Sequence, residues 1–321
     1  GPVFLFCLDD KNKTFIACDQ NGKLKVVSCF NYIVHKVYDL KTNCSLMELK
    51  NQFLYVLNAN QIKKYECNSY ELISSNEVYL KFISKFTVSS DEKFLGIINE
   101  NSKVSVYCNL TRKISSLIDE GNTIQDVKFN PKNSEYLLTV DNLGLVQIFS
   151  TKSMFLQRTI LPADSKFICL NCFNSGTIFS LATSNKIFFY EFITWTRKFN
   201  LNLEKDDVIT NILVSKNDTQ LYVFSLENKA KIFDFITLKI IYIIELNYHV
   251  TLTSSFALED GIILGYEDGR IKMIFKNNFH KTPDDFQKIL EGENELENKI
   301  FSLDQYQFKV TNKFINKKLK N

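Results

Sequence analysis

The stretch "NKAKIFDF" at residues 228–235 joins a polar turn to a short run in which apolar and other side chains alternate. Such period-two alternation over a few residues is typical of a β-strand with one buried face. Ala230 is the first apolar position after the turn, and we call this position the anchor of the run. The fold depends on whether this turn and strand occur once or recur along the chain.

Seven stretches share this turn-and-strand pattern. They read "NGKLKVVS" (21–28), "NQIKKYEC" (60–67), "SKVSVYCN" (102–109), "GLVQIFST" (144–151), "NKIFFYEF" (185–192), "NKAKIFDF" (228–235) and "GRIKMIFK" (269–276). Their anchors are Leu24, Ile62, Val104, Val146, Ile187, Ala230 and Ile271. Successive anchors lie between 38 and 43 residues apart. This even spacing indicates a repeat protein.

Other short apolar runs recur around each anchor. A second run precedes every anchor, as in "FLGII" (94–98), and a third precedes most of those, as in "TIQDVKFNP" (123–131). A fourth run follows most anchors, as in "KIIYIIEL" (239–246). Four short strands in a unit of about 40 residues are typical of a β-propeller blade. We therefore predict an all-β fold in which residues 1–276 form a seven-bladed β-propeller with four-stranded antiparallel blades.

The copies resemble WD40 repeats over residues 3–276. The Trp-Asp pair of that family would fall three and four residues after each anchor, and a large apolar or aromatic residue holds the Trp position throughout. The acid of the pair corresponds to Asp234, with Glu66 and Glu191 as acidic substitutes. The resemblance implies that these three acids are structural hydrogen-bonding residues at strand ends. The Gly-His dipeptide of the family is absent, so the resemblance depends on the period more than on signature residues.

Residues 277–321 do not continue the repeat, and we predict that they form a C-terminal extension. Thr282 followed by Pro283 and two acids is a helix-start signal, which predicts a helix over about 283–300. Alternating aromatic and apolar residues indicate a possible closing strand at about 305–311, before a basic tail. This extension either supplies the strand missing from the seventh repeat or packs as an appendage. A third alternative is an open edge that pairs with a strand of a partner.

The composition favours no catalytic or cofactor chemistry. The net charge of +3 is too small to imply nucleic acid by itself. Cys169 and Cys172 form a C-x-x-C without a second pair, which favours core packing over a zinc site. No phosphate-binding loop or dinucleotide fingerprint is present. We expect no cofactor, no metal, no small-molecule substrate, no membrane span and no enzymatic activity, and the scattered cysteines favour the nucleus or cytoplasm.

Two groups of residues are candidates for partner binding. Trp195 and Arg197 lie in "FITWTRKF" (192–199) on a predicted outer strand, and Trp and Arg are enriched at binding hot spots. The alternative for Trp195 is a half-buried residue that covers the blade edge. The tail "KFINKKLK" (313–320) offers four lysines for RNA or an acidic partner, or forms a solvated terminus. These lysines are Lys313, Lys317, Lys318 and Lys320.

The leading functional prediction is a non-catalytic protein–protein interaction scaffold. A WD40-like chain without assembled chemistry is expected to be a subunit of an intracellular multi-protein complex, with other proteins as its partners. One alternative is an RNA-associated scaffold in ribosome assembly or tRNA modification, which the basic tail favours. A second alternative is a propeller enzyme. The whole chain contains only three histidines, and this small number disfavours an enzyme.

Overall fold

The structure is a computed structural model that describes most of the chain up to residue 275. The described residues are 3–9, 14–19, 21–28, 34–40, 44–58, 61–67, 69, 71–77, 82–117, 123–161, 167–204, 207–246, 252–257, 261–266 and 271–275. Within them the regular structure consists of β-strands alone. By the distribution of contacts the chain divides into two compact units, Gly1–Met47 with Tyr248–Asn321 and Glu48–Asn247, which we describe separately.

Unit 1 contains the first and the last sheets of the chain. Its strands are β1 (Val3–Asp9), β2 (Thr14–Asp19), β3 (Lys23–Ser28), β4 (Val34–Asp39), β25 (Leu252–Ala257), β26 (Gly261–Tyr266) and β27 (Ile271–Phe275). Strands β1–β4 form blade 1, and β25–β27 form a sheet of three strands. Strand β1 lies against β25 and β26, so the two sheets are neighbours.

Unit 2 contains five four-stranded blades, and β5 begins two residues before its boundary. Blade 2 has β5 (Leu46–Lys50), β6 (Phe53–Asn58), β7 (Gln61–Glu66) and β8 (Leu72–Glu77). Blade 3 has β9 (Ile83–Val88), β10 (Phe94–Asn99), β11 (Val104–Cys108) and β12 (Ile114–Ser116). Blade 4 has β13 (Ile124–Phe129), β14 (Tyr136–Asp141), β15 (Val146–Ser150) and β16 (Leu156–Ile160). Blade 5 has β17 (Phe167–Cys172), β18 (Ile178–Thr183), β19 (Lys186–Glu191) and β20 (Arg197–Asn202). Blade 6 has β21 (Ile209–Val214), β22 (Gln220–Ser225), β23 (Lys229–Asp234) and β24 (Ile240–Glu245).

The repeat of the sequence is a repeat of antiparallel blades, and the prediction of a β-propeller is confirmed. Within each sheet, every strand pairs with the next strand along the chain. Every anchor lies on the third strand of its sheet, as Val146 does on β15 and Ile187 on β19. The anchors of blades 1 to 6 are almost fully buried. Period-two alternation therefore identifies the side chains of each third strand that face the core.

The prediction of seven four-stranded blades is wrong. The described residues form six four-stranded blades and a further sheet of three strands, β25–β27. No fourth strand pairs with β27 in the part of the chain that the structure describes, and that part has no helix. In the sequence, the residues that follow the seventh copy, 277–290, lack the period-two alternation of a strand. The predicted extension 277–321, with its helix 283–300 and strand 305–311, lies outside the described residues.

Adjacent blades of unit 2 pack through apolar side chains of their central strands. One cluster joins blades 3 and 4, a second joins blades 4 and 5, and a third joins blades 5 and 6. Each fully buried aliphatic or aromatic side chain contributes about 1.5 to 3 kcal/mol to folding. Gly96 on β10 allows a close approach, because a Cβ built there would lie 2.9 Å from Cδ1 of Leu137 in blade 4.

The turns between first and second strands form a chain of hydrogen bonds from blade to blade. The Asn51 amide donates to the Glu92 carboxylate at 2.6 Å, which links blades 2 and 3. Blades 3 and 4 are linked by the hydroxyls of Ser90 and Ser134 at 2.8 Å. Blades 4 and 5 are linked from Asn130 to the Gly176 carbonyl at 3.0 Å, and blades 5 and 6 from Asn174 and Ser175 to Asp218. We call this series the turn belt, and it places these turns at one rim of unit 2.

Glu92 is the most connected residue of the turn belt. Its carboxylate also accepts hydrogen bonds from Tyr55 and Lys64, each at 2.9 Å. Partial burial alone would raise the pKa of Glu92, but the hydrogen bonds from Lys64, Asn51 and Tyr55 outweigh burial and hold this pKa below its usual value. The ionised carboxylate is therefore favoured by the folded state.

We expect Glu92→Gln to lower the free energy of unfolding at neutral pH by roughly 1 to 2 kcal/mol, because it removes a charged acceptor from three donors. A depressed pKa stabilises the fold above the usual carboxyl pKa of 4.5, and this stabilisation is lost as the pH falls through the folded-state pKa. Urea titrations should therefore show the difference between wild type and variant shrinking below about pH 4.5. Glu100→Gln, at an exposed acid of the same blade, is the control. A gap that does not depend on pH would contradict this role of Glu92.

The turn between second and third strands contains a left-handed residue in blades 1, 3, 4 and 6. This position is held by Gly22, Ser102, Gly144 and Asn228, with φ of 79°, 56°, 84° and 56°. In blade 3 the side chain of Asn99 accepts hydrogen bonds from the amides of Asn101 and Lys103, which holds the turn. A left-handed conformation costs a non-glycine residue about 1 to 2 kcal/mol, so Ser102 bears a strain that Gly22 and Gly144 avoid.

We expect Ser102→Gly to raise the free energy of unfolding by roughly 0.5 to 1 kcal/mol, because relief of strain exceeds the added chain entropy of the unfolded state. Urea unfolding measures this change. Asn101→Gly is the matched control, since Asn101 lies in the same turn outside the left-handed region, and it should lower stability. Equal destabilisation by both substitutions would show that strain at Ser102 is negligible.

Candidate interaction surface

The turn between third and fourth strands has the same backbone in blades 3 to 6, and we call it the outer turn. Its first residue is Cys108, Ser150, Glu191 or Asp234. In each case the amide four residues later donates to the carbonyl of the first residue, at 2.8 or 2.9 Å. The amide of the first residue donates to the carbonyl five residues later, at 2.9 to 3.1 Å. Because these bonds involve the backbone alone, many different side chains are compatible with the turn.

The three predicted strand-end acids each accept a hydrogen bond from a hydroxyl three residues later. Asp234 accepts from the Thr237 amide at 2.7 Å and from its hydroxyl at 2.8 Å. These bonds hold the pKa of Asp234 below its usual value. Glu191 accepts from the hydroxyl of Thr194, and Glu66 accepts from Ser69 at 3.0 Å. The geometry is that of acids that stabilise turns.

The fifth residue of the outer turn has a left-handed backbone, and in blades 4 to 6 its side chain packs inward. It is Arg112, Met154, Trp195 or Leu238, with φ of 55° to 59°. Met154, Trp195 and Leu238 pack against the clusters that join their blade to a neighbour. The ring of Trp195 lies 5.1 Å from that of Tyr136 in blade 4, edge to face. Trp195 is therefore positioned as a packing residue between blades.

Two sequence-derived candidates for partner binding thus have different surroundings. Trp195 lies in the outer turn and not on the predicted outer strand, because β20 begins at Arg197. Arg197 is exposed, and its guanidinium lies 5.7 Å from the centre of the Phe188 ring. The four tail lysines lie beyond the residues that the structure describes, so their partner-binding role stays a prediction, as does that of Arg197.

The outer turns also present apolar side chains that sequence reasoning missed. At the third position of the turn, Leu110, Ile193 and Ile236 are exposed to 74%, 81% and 84%. Blade 4 has Lys152 at that position and Phe155, exposed to 71%, at the sixth position. The signal in the sequence is an apolar residue at one turn position in three repeats. We call residues 108–113, 150–155, 191–198 and 234–239 the outer-turn surface.

The outer-turn surface lies at the same rim as the turn belt. In an antiparallel meander, the turn after the first strand and the turn after the third strand lie at the same end of the sheet. The turn belt joins the first–second turns of blades 2 to 6 to one another. The outer turns of blades 3 to 6 therefore project from one rim of unit 2.

The outer-turn surface carries an excess of positive charge. It contains six cationic and two acidic side chains. Lys198 pairs with Glu191 at 3.0 Å, and Lys152 pairs with Glu135 at 2.8 Å. The remaining cations, which form no ion pair within the described part of the chain, are Arg112, Lys113, Arg197 and Lys239. Each outer turn thus combines an exposed apolar side chain with at least one cation.

The first strands of unit 2 carry a second group of charged residues. Glu48 on β5 accepts from the Val88 amide at 3.1 Å, and Asp126 on β13 lies 3.4 Å from Nζ of Lys85. Burial raises the pKa of Glu48 against the opposing effect of Lys128. Burial would lower the pKa of Lys128, but Asp126 and Glu48 outweigh it and raise this pKa. The opposite charges compensate one another, which is the arrangement of a structural ion cluster.

The C-x-x-C cysteines do not converge on one site. Cys172 packs against the cluster between blades 4 and 5, and Cys169 packs against the cluster between blades 5 and 6. Burial raises the pKa of both thiols to about 12, so both are neutral thiols at physiological pH. Across the described ranges no group of three or more His, Cys, Asp or Glu side chains could hold a metal ion. In the same ranges no helix is long and apolar enough to cross a membrane.

The sequence was compared with protein-family models and with curated proteins. No protein-family model matches the sequence. No curated protein matches it either. The function is therefore inferred from the blades, from the outer-turn surface and from the cations on that surface.

Two neighbouring residues of one outer turn allow the packing role and the surface role to be separated. We expect Trp195→Ala to lower the free energy of unfolding by roughly 2 to 3 kcal/mol, because it removes contacts with Tyr136 of blade 4 and with Phe192 of its own turn. Ile193→Ala, two residues away, should change it by less than about 0.5 kcal/mol. Urea unfolding of both variants tests this contrast, and an unchanged stability of Trp195→Ala would return Trp195 to the candidates for partner binding.

Proposed function

We propose that this protein is a non-catalytic protein–protein interaction scaffold, a WD40-like subunit of an intracellular multi-protein complex. The β-propeller fold is commonly a protein-interaction scaffold. The observation that carries the proposal is the row of exposed apolar side chains on successive outer turns. Apolar side chains clustered on a rim and bordered by polar groups are typical of protein-binding surfaces.

The rigidity of the outer turns supports this function. Each apolar side chain is attached to a turn whose backbone donors and acceptors bond within the turn. Binding through such a surface orders little of the backbone, so less of the gained contact energy is lost to entropy. The same feature suits a scaffold, which must present fixed positions to its partners.

A scaffold without catalysis is also supported by the charged residues of the first strands. Glu48 and Asp126 lie close to the lysines Lys128 and Lys85, which is an arrangement of opposite charges typical of a structural ion cluster. The free thiols in the described residues suit a reducing compartment, nucleus or cytoplasm. The WD40 assignment is supported by the repeat period and by acids such as Asp234 at strand ends.

RNA-associated scaffolding is the second candidate, which the unpaired cations of the outer-turn surface favour. Single-stranded RNA is usually bound by aromatic side chains that stack on bases. The outer-turn surface exposes one aromatic side chain, Phe155, among three aliphatic ones. This composition favours a protein partner over RNA.

Affinity capture with matched variants tests the scaffold function. We expect wild type to retain a set of proteins in fixed proportion, measured by quantitative mass spectrometry. Ile193→Ser combined with Ile236→Ser should lose members of this set. Leu143→Ser combined with Leu226→Ser is the control, because these leucines are exposed in second–third turns at the opposite end of the blades.

Two results would contradict the scaffold proposal. One is the absence of any protein retained in fixed proportion by wild type. The other is a retained set that both double variants keep unchanged, since this would remove the outer-turn surface from the argument. Thermal unfolding of each variant should match wild type, because all four substituted side chains are exposed.

A further inference from the structure

We propose that the outer-turn surface binds an acidic peptide segment in which apolar side chains alternate with stretches of Asp and Glu. This inference rests on the proposed scaffold function and names the chemistry of the partner. It follows from the way in which the outer turns of blades 3, 5 and 6 each combine one apolar side chain with a cation that has no ion pair among the described residues.

The pairing of apolar side chain and cation recurs from blade to blade. In blade 3, Leu110 is followed by Arg112 and Lys113. In blade 6, Ile236 is followed three residues later by Lys239. Blade 5 has Ile193 and Arg197, and all of these side chains are exposed. A segment that crosses the turns would therefore meet apolar and cationic positions in close succession.

Blade 4 keeps this combination with the two positions exchanged. Lys152 holds the third position of the turn, where the other blades have an apolar residue. Phe155 holds the sixth position, where blades 3 and 6 have Lys113 and Lys239. The combination of one apolar side chain and a cation is thus a property of all four turns.

The acids of the outer-turn surface do not neutralise these cations. Glu191 is engaged by Lys198 at 3.0 Å and by the hydroxyl of Thr194 at 2.6 Å. Asp234 is engaged by the amide and hydroxyl of Thr237. The positive charge of Arg112, Lys113, Arg197 and Lys239 therefore remains available to a partner, and carboxylates are the groups that complement it.

The apolar side chains distinguish a peptide from other acidic partners. Aliphatic side chains gain little from phosphates or bases, whereas they gain about 25 cal/mol per Å² against apolar side chains of a peptide. Insertion into an anionic membrane needs an apolar face buried roughly 5 to 10 Å deep. Each outer turn exposes one large apolar side chain, which is far less than such an apolar face.

The proposal is tested by panning the full chain against a phage-displayed library of random 16-residue peptides. We expect the enriched peptides to carry more Asp and Glu and more Leu, Ile and Phe than the library. One enriched peptide, synthesised with a fluorescent label, is then titrated against the variants by anisotropy. Ile193→Ser with Ile236→Ser should weaken its binding at least 10-fold.

Charge variants form the second arm of the titration. Arg197→Glu with Lys239→Glu should weaken binding at least 10-fold at low salt, and this effect should shrink at high salt. Lys103→Glu with Lys186→Glu makes the same change of charge at the opposite end of the blades and should leave affinity within 2-fold. A polyuridine RNA and vesicles with phosphatidylserine are titrated in parallel.

Several outcomes would overturn the proposal. These are enriched peptides that are neutral or basic, enrichment that survives both outer-turn variants, no enrichment at all, or tighter binding of the RNA or the vesicles than of any peptide. The scaffold function has a separate readout. If protein capture depends on Ile193 and Ile236 while the enriched peptides lack acids, the scaffold function stands and the acidic-peptide inference falls.

Discussion

The constraint on which the outer-turn surface depends is the satisfaction of backbone donors and acceptors where the third strand of each blade ends. Burying an unpaired amide or carbonyl is costly, so the turn closes on itself with backbone hydrogen bonds. This closure forces one residue of the turn into the left-handed region. Its side chain then points into the space between blades, as Trp195 and Leu238 do. The residue two positions earlier is directed to solvent by the same geometry, which explains the exposure of Ile193 and Ile236.

A turn that is held by backbone hydrogen bonds also explains how the blades accept different residues where the third strand ends. The acid at the start of the outer turn is Asp234 in one blade and Glu191 in another, while Ser150 and Cys108 occupy it elsewhere. Each of these residues offers the same amide and carbonyl, so the side chain adds stability without deciding the conformation. The left-handed position likewise accepts Arg, Met, Trp and Leu, although glycine would be least strained there.

The strands could be predicted from the sequence because a strand with one buried face has apolar side chains at every second position. Each anchor, such as Val146, marks a third strand, and the spacing of anchors marks the blades. The position of Trp195 was predicted wrongly, because a left-handed backbone at a non-glycine residue has no sequence signal and the run 192–199 alternates like a strand. The exposure of Ile193 was missed for a related reason. An apolar side chain is expected in the core, and the backbone hydrogen bonds that direct Ile193 to solvent have no signal in the sequence. The last sheet has three strands within the described residues, whereas the period of the repeat predicted four.

The turn belt has links of two chemical kinds, and this difference decides which link between blades 2 and 5 responds to acid. The link between blades 2 and 3 uses the carboxylate of Glu92, whereas the next two links join neutral hydroxyl, amide and carbonyl groups, as at Ser134 and Asn130. Because its hydrogen bonds hold the pKa of Glu92 below the usual value, this link persists in mild acid and weakens only as the pH falls through that lowered pKa. Strong acid would therefore loosen the rim between blades 2 and 3, while the two neutral links do not titrate.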